Sequence, residues 1–163
     1  MTECNYKICI LGDNKIDKTI FINKLAYDDL SEQSKLIIGI DFDSAKKTIG
    51  ENIFKLQLWD LAGQTKFNFM LDTYLSGSNG IFVMINPTIT DTINSAIRLK
   101  HILDTKIKCP VILLINKIDA DTDIINYKEY GFDKFIEIST KTGDGIESAC
   151  EMMLDLISLS KNF

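Results

Sequence analysis

The chain lacks a basic stripe. Its 163 residues carry 18 Lys and Arg against 23 Asp and Glu, a net charge of −5 with a pI near 4.9. A nucleic-acid footprint would show as clustered cations, so nucleic acid is not an expected partner. No basic-then-apolar leader opens the chain and no apolar run reaches the roughly 20 residues that span a bilayer. This predicts a soluble protein of a reducing compartment, with the cytosol as the default. Cysteine pairs are missing too: the four cysteines, Cys4, Cys9, Cys109 and Cys150, are scattered and form no Cys-x-x-Cys. Reduced structural thiols are expected rather than disulfides, redox or metal chemistry. The single histidine, His101, sits beside Arg98 and Lys100 in a helical pattern; a surface position is expected, with no role. There is no internal repeat, low-complexity tract or Gly/Ser linker, and 45% hydrophobic content gives one core rather than two. One domain, 1–163, is expected.

What is present is a series of polar motifs, each following an apolar strand pattern. The first is Gly12-Asp13-Asn14-Lys15-Ile16-Asp17-Lys18-Thr19, preceded by Tyr6 to Leu11 and followed by apolar residues at helical spacing, Phe21, Ile22 and Leu25. In a loop Gly-x-x-x-x-Gly-Lys-Ser/Thr between strand and helix, backbone N–H groups wrap phosphates, the lysine reaches the terminal phosphates and the hydroxyl meets Mg²⁺. Here aspartate replaces the second glycine. Taken alone, the run would be matched by an ordinary turn before a helix, because Gly, Asp, Asn and Lys are turn formers.

Three further pieces alter that balance. Lys55 to Trp59 alternates as a strand and leads into Asp60-Leu61-Ala62-Gly63-Gln64; a carboxylate there can hold a Mg²⁺-bound water, and a glycine lets backbone approach a terminal phosphate. Val111 to Ile115 ends in Asn116-Lys117-Ile118-Asp119. An Asp carboxylate can accept two N–H bonds from guanine that adenine cannot supply. Glu137-Ile138-Ser139-Thr140-Lys141 stands at another strand end.

The pattern along the chain predicts strands at 5–11, 41–49, 52–59, 80–85, 111–115 and 135–138, with helices at 18–27, 91–106 and 144–158. A polar segment runs from Asp28 to Lys35, and a turn falls at Gly50-Glu51-Asn52. The alternation predicts an α/β fold, a mostly parallel central sheet flanked by helices on both faces. Ligands of such sheets bind at the carboxyl ends of the strands, where all four motifs meet.

On these motifs the chain resembles the Ras superfamily of small GTPases, and within it the Rab family. Further Rab-like stretches are Ile38-Gly39-Ile40-Asp41-Phe42 and Thr73 to Val83. The resemblance covers essentially the whole chain and implies a P-loop G domain that binds GDP and GTP with Mg²⁺. It implies nucleotide contacts from Gly12, Asp13, Asn14, Lys15, Ile16, Asp17, Lys18, Thr19, Ile20 and Gly63. Base recognition falls to Asn116, Lys117 and Asp119, with Ser139, Thr140 and Lys141 where the family has Ser-Ala-Lys. Thr19 and Asp60 are the implied metal residues, Gln64 orients the attacking water, and Lys18 serves the transferred phosphate. Threonine for alanine at 140 is expected to matter little if the backbone N–H makes the contact. Effector and regulatory proteins are the implied partners, through switch regions at about 31–45 and 61–75.

The departures from the family lie in the phosphate half. Asp17 sets a carboxylate near phosphate oxygens, where like charges about 4 Å apart repel by about 4 kcal/mol at an effective dielectric of about 20, and far less if the side chain turns to water. Lys15 replaces a second glycine, against which the glutamine and a partner's arginine finger pack. It is either a solvated loop lysine or a cation on a phosphate, and the residues leave both open. Ile37 stands where a threonine ligates Mg²⁺, which isoleucine cannot do. Leu30 replaces an aromatic edge against guanine unless Tyr27 takes that place, and Asn86-Pro87 replaces a Tyr-Asp-like pair without an evident mechanism. The segment 120–136 is short, with room for a small helix.

Two function classes follow. One is a working but slow GTPase, favoured by Gln64, Asp60 and Thr19, with a role in vesicle or membrane traffic. The other is a pseudo-GTPase acting as an interaction module, favoured by Lys15, Asp17 and Ile37. No cysteine lies near Phe163, so no lipid anchor is expected in this chain. A monomer, or one G domain of a longer polypeptide, is expected, peripheral at membranes only through other sequence or partners.

Overall fold

A computed structural model describes residues 2–12, 18–26, 35–37, 40–61, 71–117 and 127–161. In chain order these form β1 (Thr2–Gly12), α1 (Lys18–Ala26), β2 (Lys35–Ile37), β3 (Ile40–Ile49), β4 (Asn52–Leu61), α2 (Leu71–Leu75), β5 (Gly80–Ile85), α3 (Thr90–Lys106), β6 (Val111–Asn116), a 3₁₀ turn (Tyr127–Tyr130), β7 (Phe135–Ile138) and α4 (Ile146–Lys161). The seven strands make one sheet in the order β2-β3-β4-β1-β5-β6-β7. From β4 across to β7 every pairing is parallel, while β2/β3 and β3/β4 are antiparallel. The expected α/β architecture is therefore present.

The β3–β4 hairpin closes through Gly50 and Glu51, with Ile49 opposite Asn52. Gly50 takes φ +60°, while no described non-glycine residue has positive φ. A two-residue hairpin whose first residue is a left-handed glycine matches the right-handed twist of the strands it joins. Two elements were not expected: β2, inside and just beyond the polar segment, and α2. Lys35-Leu36-Ile37 is too short for a period to register, and its strand state comes from pairing with β3, Ile37 against Ile40. Within 120–136 the described residues hold a 3₁₀ turn at Tyr127–Tyr130, and most of the stretch where a small helix is expected lies before Tyr127, outside the described residues.

Side chains on a strand point alternately to opposite faces, and this alternation sorts the core into two layers. Tyr6, Ile8 and Ile10 of β1, Phe82 and Met84 of β5, and Ile112 and Leu114 of β6 pack beneath α1 and α4. Cys9 and Leu11, the odd residues Ile81 to Ile85, and Leu113 and Ile115 pack beneath α2 and α3. β5 is buried at every position, so it reads as a continuous apolar run, as strands covered on both faces do. Gly80 opens β5 where the end of the Met153 side chain of α4 lies against it, and a Cβ there would run into the Met153 sulfur.

The cysteines are free, as expected. Burial pushes the Cys109 thiol up to about 11 and the Cys150 thiol up to about 12, and Cys9 is raised by the same cause. Such thiols stay protonated near neutrality and are poor nucleophiles. Asn86-Pro87, which had no evident mechanism, forms the turn into α3. Asn86 Oδ1 accepts from the Thr88 N–H at 3.0 Å and its hydroxyl at 2.7 Å. The Asn86 N–H donates to the buried Thr92 hydroxyl at 3.0 Å. The pair thus ties the end of β5 to the first turn of α3.

Candidate functional site

β1 and β4 are parallel neighbours with Ile10 opposite Asp60, so their ends deliver Gly12 and Asp60 side by side. Strand alternation aims Asp60 to the face of Leu58, beneath α1. Trp59 turns to the other face, where the Lys7 ammonium lies 4.5 Å from its ring and the Tyr74 ring 6.4 Å away. α1 begins at Lys18, so the first two helical residues meet these strand ends. Lys18 is only 4% exposed; its Nζ donates to the Gly12 carbonyl at 3.1 Å and lies 4.0 Å from Asp60 Oδ1. The Thr19 hydroxyl donates to Asp60 Oδ2 at 2.9 Å. A cation buried this deeply is tolerable because a carboxylate and a carbonyl oppose it.

This donor set suits a hard divalent cation. A hydroxyl and a carboxylate oxygen in contact match Mg²⁺, which takes few protein oxygens and completes its shell with water and substrate phosphate. Among the described residues no group of three or more His, Cys, Asp or Glu could hold a metal by itself.

The second half of the site lies across the sheet. Asn116 ends β6, opposite Ile138 of β7, and is completely buried. Its Nδ2 donates to Thr140 Oγ1 at 3.0 Å, and its Oδ1 accepts the Thr140 N–H at 3.1 Å. The expectation that threonine for alanine at 140 matters little, if the backbone N–H makes the contact, leaves out its hydroxyl, which here bonds the Asn116 side chain. Nothing in the linear spacing pairs positions 116 and 140; the β6–β7 register does. The Lys117 N–H donates to the Ile138 carbonyl at 2.9 Å, and Lys117 Nζ pairs with Glu137 at 2.8 Å. Glu137 had been assigned no role. The loop after β7 is closed by the Ser139 N–H on the Asp144 carbonyl at 2.9 Å and the Gly143 N–H on the Ser139 carbonyl at 2.8 Å. Lys24 of α1 donates to the Lys141 carbonyl at 3.2 Å, linking this loop to the helix that carries Lys18.

The structure thus brings Gly12, Lys18, Thr19 and Asp60 into one cluster and Asn116, Lys117, Ser139, Thr140 and Lys141 into a second. Ile20, half-exposed, follows Thr19 on α1. Asp13, Asn14, Lys15, Ile16, Asp17, Gly63, Gln64 and Asp119 lie outside the described residues, as do Tyr27 and Leu30. Ile37 is described in its backbone, as the last residue of β2. Of the two switch regions, residues 35–37, 40–45, Leu61 and 71–75 are described. Among the described residues no helix is long and apolar enough to cross a membrane.

A family model described as Ras of Complex, Roc, domain of DAPkinase matches residues 7–119, from within β1 to the end of the Asn116-to-Asp119 motif. The chain is 32% identical over 174 residues to Ras-related protein Rab-32A of Dictyostelium discoideum, covering 95% of this chain and 78% of that protein. It is 29% identical over 169 residues to Ras-related protein Rab-32 of Homo sapiens, covering 93% and 74%. It is 31% identical over 163 residues to Ras-related protein RABC1 of Arabidopsis thaliana, covering 91% and 75%. With that family model matched over most of the chain and with Rab relatives matched along most of its length, this chain belongs to the Ras superfamily of small GTPases and is of the Rab type.

Proposed function

We propose that the protein binds GDP and GTP with Mg²⁺, hydrolyses GTP more slowly than an ordinary Rab, and regulates vesicle or membrane traffic through nucleotide-dependent partners. The observation that carries this reading is the Lys18–Thr19–Asp60 cluster at the carboxyl ends of β1 and β4. Lys18 meets the terminal phosphates, Thr19 and Asp60 hold the cation, and Gln64 orients the attacking water. Bound there, Mg²⁺ supplies charge neutralisation to the transferring phosphoryl group. Asn116, Lys117 and Asp119 read the base, with Ser139, Thr140 and Lys141 closing over it. Effectors and regulators engage residues about 31–45 and 61–75, and membrane attachment is peripheral.

Reduced turnover follows from three residues. Lys15 crowds Gln64, Asp17 opposes the charge that must be stabilised in the transition state, and Ile37 removes a cation ligand that ties the switch to the terminal phosphate. Because they share one site, their effects do not simply add.

Denaturing the purified protein and identifying the released nucleotide, followed by competition of ATP and GTP for the emptied site, tests the assignment. Guanine nucleotide should be released, and GTP should win. Asp119→Ala should erase that preference, because the carboxylate that adenine would leave unpaired is gone. Equal affinity of the native protein for ATP and GTP would sink the reading.

A further inference from the structure

Asn116 and Thr140 hold one another through two hydrogen bonds, and the pairing fixes the orientation of a side-chain amide. Asn116 is fully buried and Thr140 is 3% exposed. A carboxamide has a donor end and an acceptor end of nearly the same shape. At Asn116 the Thr140 N–H demands an acceptor on one side, at 3.1 Å, and the Thr140 hydroxyl takes a donor on the other, at 3.0 Å. The backbone N–H alone would hold one end of the amide. The hydroxyl holds the other end, and with it the direction in which the second Nδ2 hydrogen points.

The surrounding backbone does not depend on this hydroxyl. The Lys117 N–H is bonded to the Ile138 carbonyl and the Ser139 N–H to the Asp144 carbonyl, each at 2.9 Å. The Ser139 hydroxyl also accepts the Thr142 N–H at 3.2 Å. The strand end and the loop are therefore closed by bonds that a change at position 140 leaves in place.

We infer that the Thr140 hydroxyl is a positioning group: it orients the Asn116 amide toward the purine and thereby sets how long guanine nucleotide stays bound. The inference rests on the nucleotide-binding reading above and goes beyond it, since it places control of dissociation in a side chain that acts through another residue. Valine has nearly the shape of threonine without the hydroxyl, and serine keeps the hydroxyl without the methyl, so the two substitutions separate the bond from the packing.

The test is the dissociation rate of N-methylanthraniloyl-GDP from the full chain in Mg²⁺ buffer, for native protein, Thr140→Val and Thr140→Ser. One lost hydrogen bond to a buried amide predicts that Thr140→Val dissociates about fivefold faster or more, while Thr140→Ser stays within about twofold of native. The acceleration caused by EDTA reports the Thr19–Asp60 end and should be the same in all three, which a general loosening of the domain would not leave unchanged. If the valine variant does not fold, Thr140→Ala is compared with serine on the same terms. A native-like rate for the valine variant, a serine variant as fast as valine, or a lost EDTA response in valine alone overturns the inference while leaving nucleotide binding intact. Native protein that takes up no labelled GDP at all overturns the nucleotide reading and the inference with it.

Discussion

The Thr19 hydroxyl and the Asp60 carboxylate meet at 2.9 Å, joining the first turn of α1 to the end of β4. Each residue is ordinary in its own element; their meeting is made by the parallel β1–β4 pairing, which brings the strand that leads to α1 alongside the strand that ends in Asp60.

Thr19→Ala should therefore act on the cation and only slightly on the fold. Stability should fall by about 1 kcal/mol for one lost hydrogen bond. Nucleotide affinity in Mg²⁺ should fall at least tenfold, equivalent to about 1.4 kcal/mol, and EDTA should no longer hasten dissociation. Calorimetric titration with and without Mg²⁺ measures both. An unchanged EDTA response would remove Thr19 from the metal site.

Removing the shared glutamine should lower turnover, whereas reverting two of the departures from the family should strengthen nucleotide binding and its coupling to Mg²⁺. In single-turnover assays Gln64→Leu should lower the rate by tenfold or more, each factor of ten corresponding to about 1.4 kcal/mol of transition-state stabilisation. Asp17→Gly should tighten nucleotide binding, and Ile37→Thr should increase the Mg²⁺ dependence of the GTP form. If Gln64→Leu leaves turnover unchanged while Asp17→Gly weakens binding, the family mechanism does not apply and an interaction-module role takes its place.

The contact of Gly80 with Met153 should appear as a coupling. Gly80→Ala sets a methyl against the flexible end of Met153, which must shift, and should cost about 1 kcal/mol, the low end of overpacking. Met153→Ala alone should cost about 2–5 kcal/mol by opening a cavity. In the Met153→Ala background the glycine substitution should cost less than about 1 kcal/mol, since the new methyl enters vacated space. Urea melts of the four proteins give the cycle; additive losses would refute the close approach.

Alkaline pH should weaken the fold through Cys150. Its thiol is pushed up to about 12 by burial from an ordinary value of 9.0. Between about pH 9 and 12 the unfolded chain releases this proton while the native state retains it, so stability is intact below that window and falls as pH rises through it. The slope is up to about 1.4 kcal/mol per pH unit for one thiol. Cys150→Ala should show a shallower decline than native protein over this range, with the same pH dependence below pH 8. Parallel curves at high pH would contradict it.

The fold was legible where strands and helices were long enough to show their period. β5 to β7 and α3 could be read nearly to the residue, because buried parallel strands and an amphipathic helix leave strong patterns. β2 could not, because three residues carry no period and Ile37 is extended only through Ile40 across the hairpin. The site divided in the same way. Gly12, Lys18, Thr19, Asp60 and Asn116 stand in motifs of fixed spacing. The bond between Asn116 and Thr140 and the ion pair of Lys117 with Glu137 depend on which strand neighbours which, information that motif spacing does not contain.

The strand order also acts as a ruler. β1, which ends at Gly12, and β6, which ends at Asn116, are separated by β5 alone. Two strand spacings amount to about 10 Å. A ligand touching both clusters has to bridge that gap with its own covalent frame, so a free purine or a free phosphate can satisfy one end and leave the other to water. On the nucleotide-binding proposal, the strand order would select by length before any side chain selects by hydrogen bond.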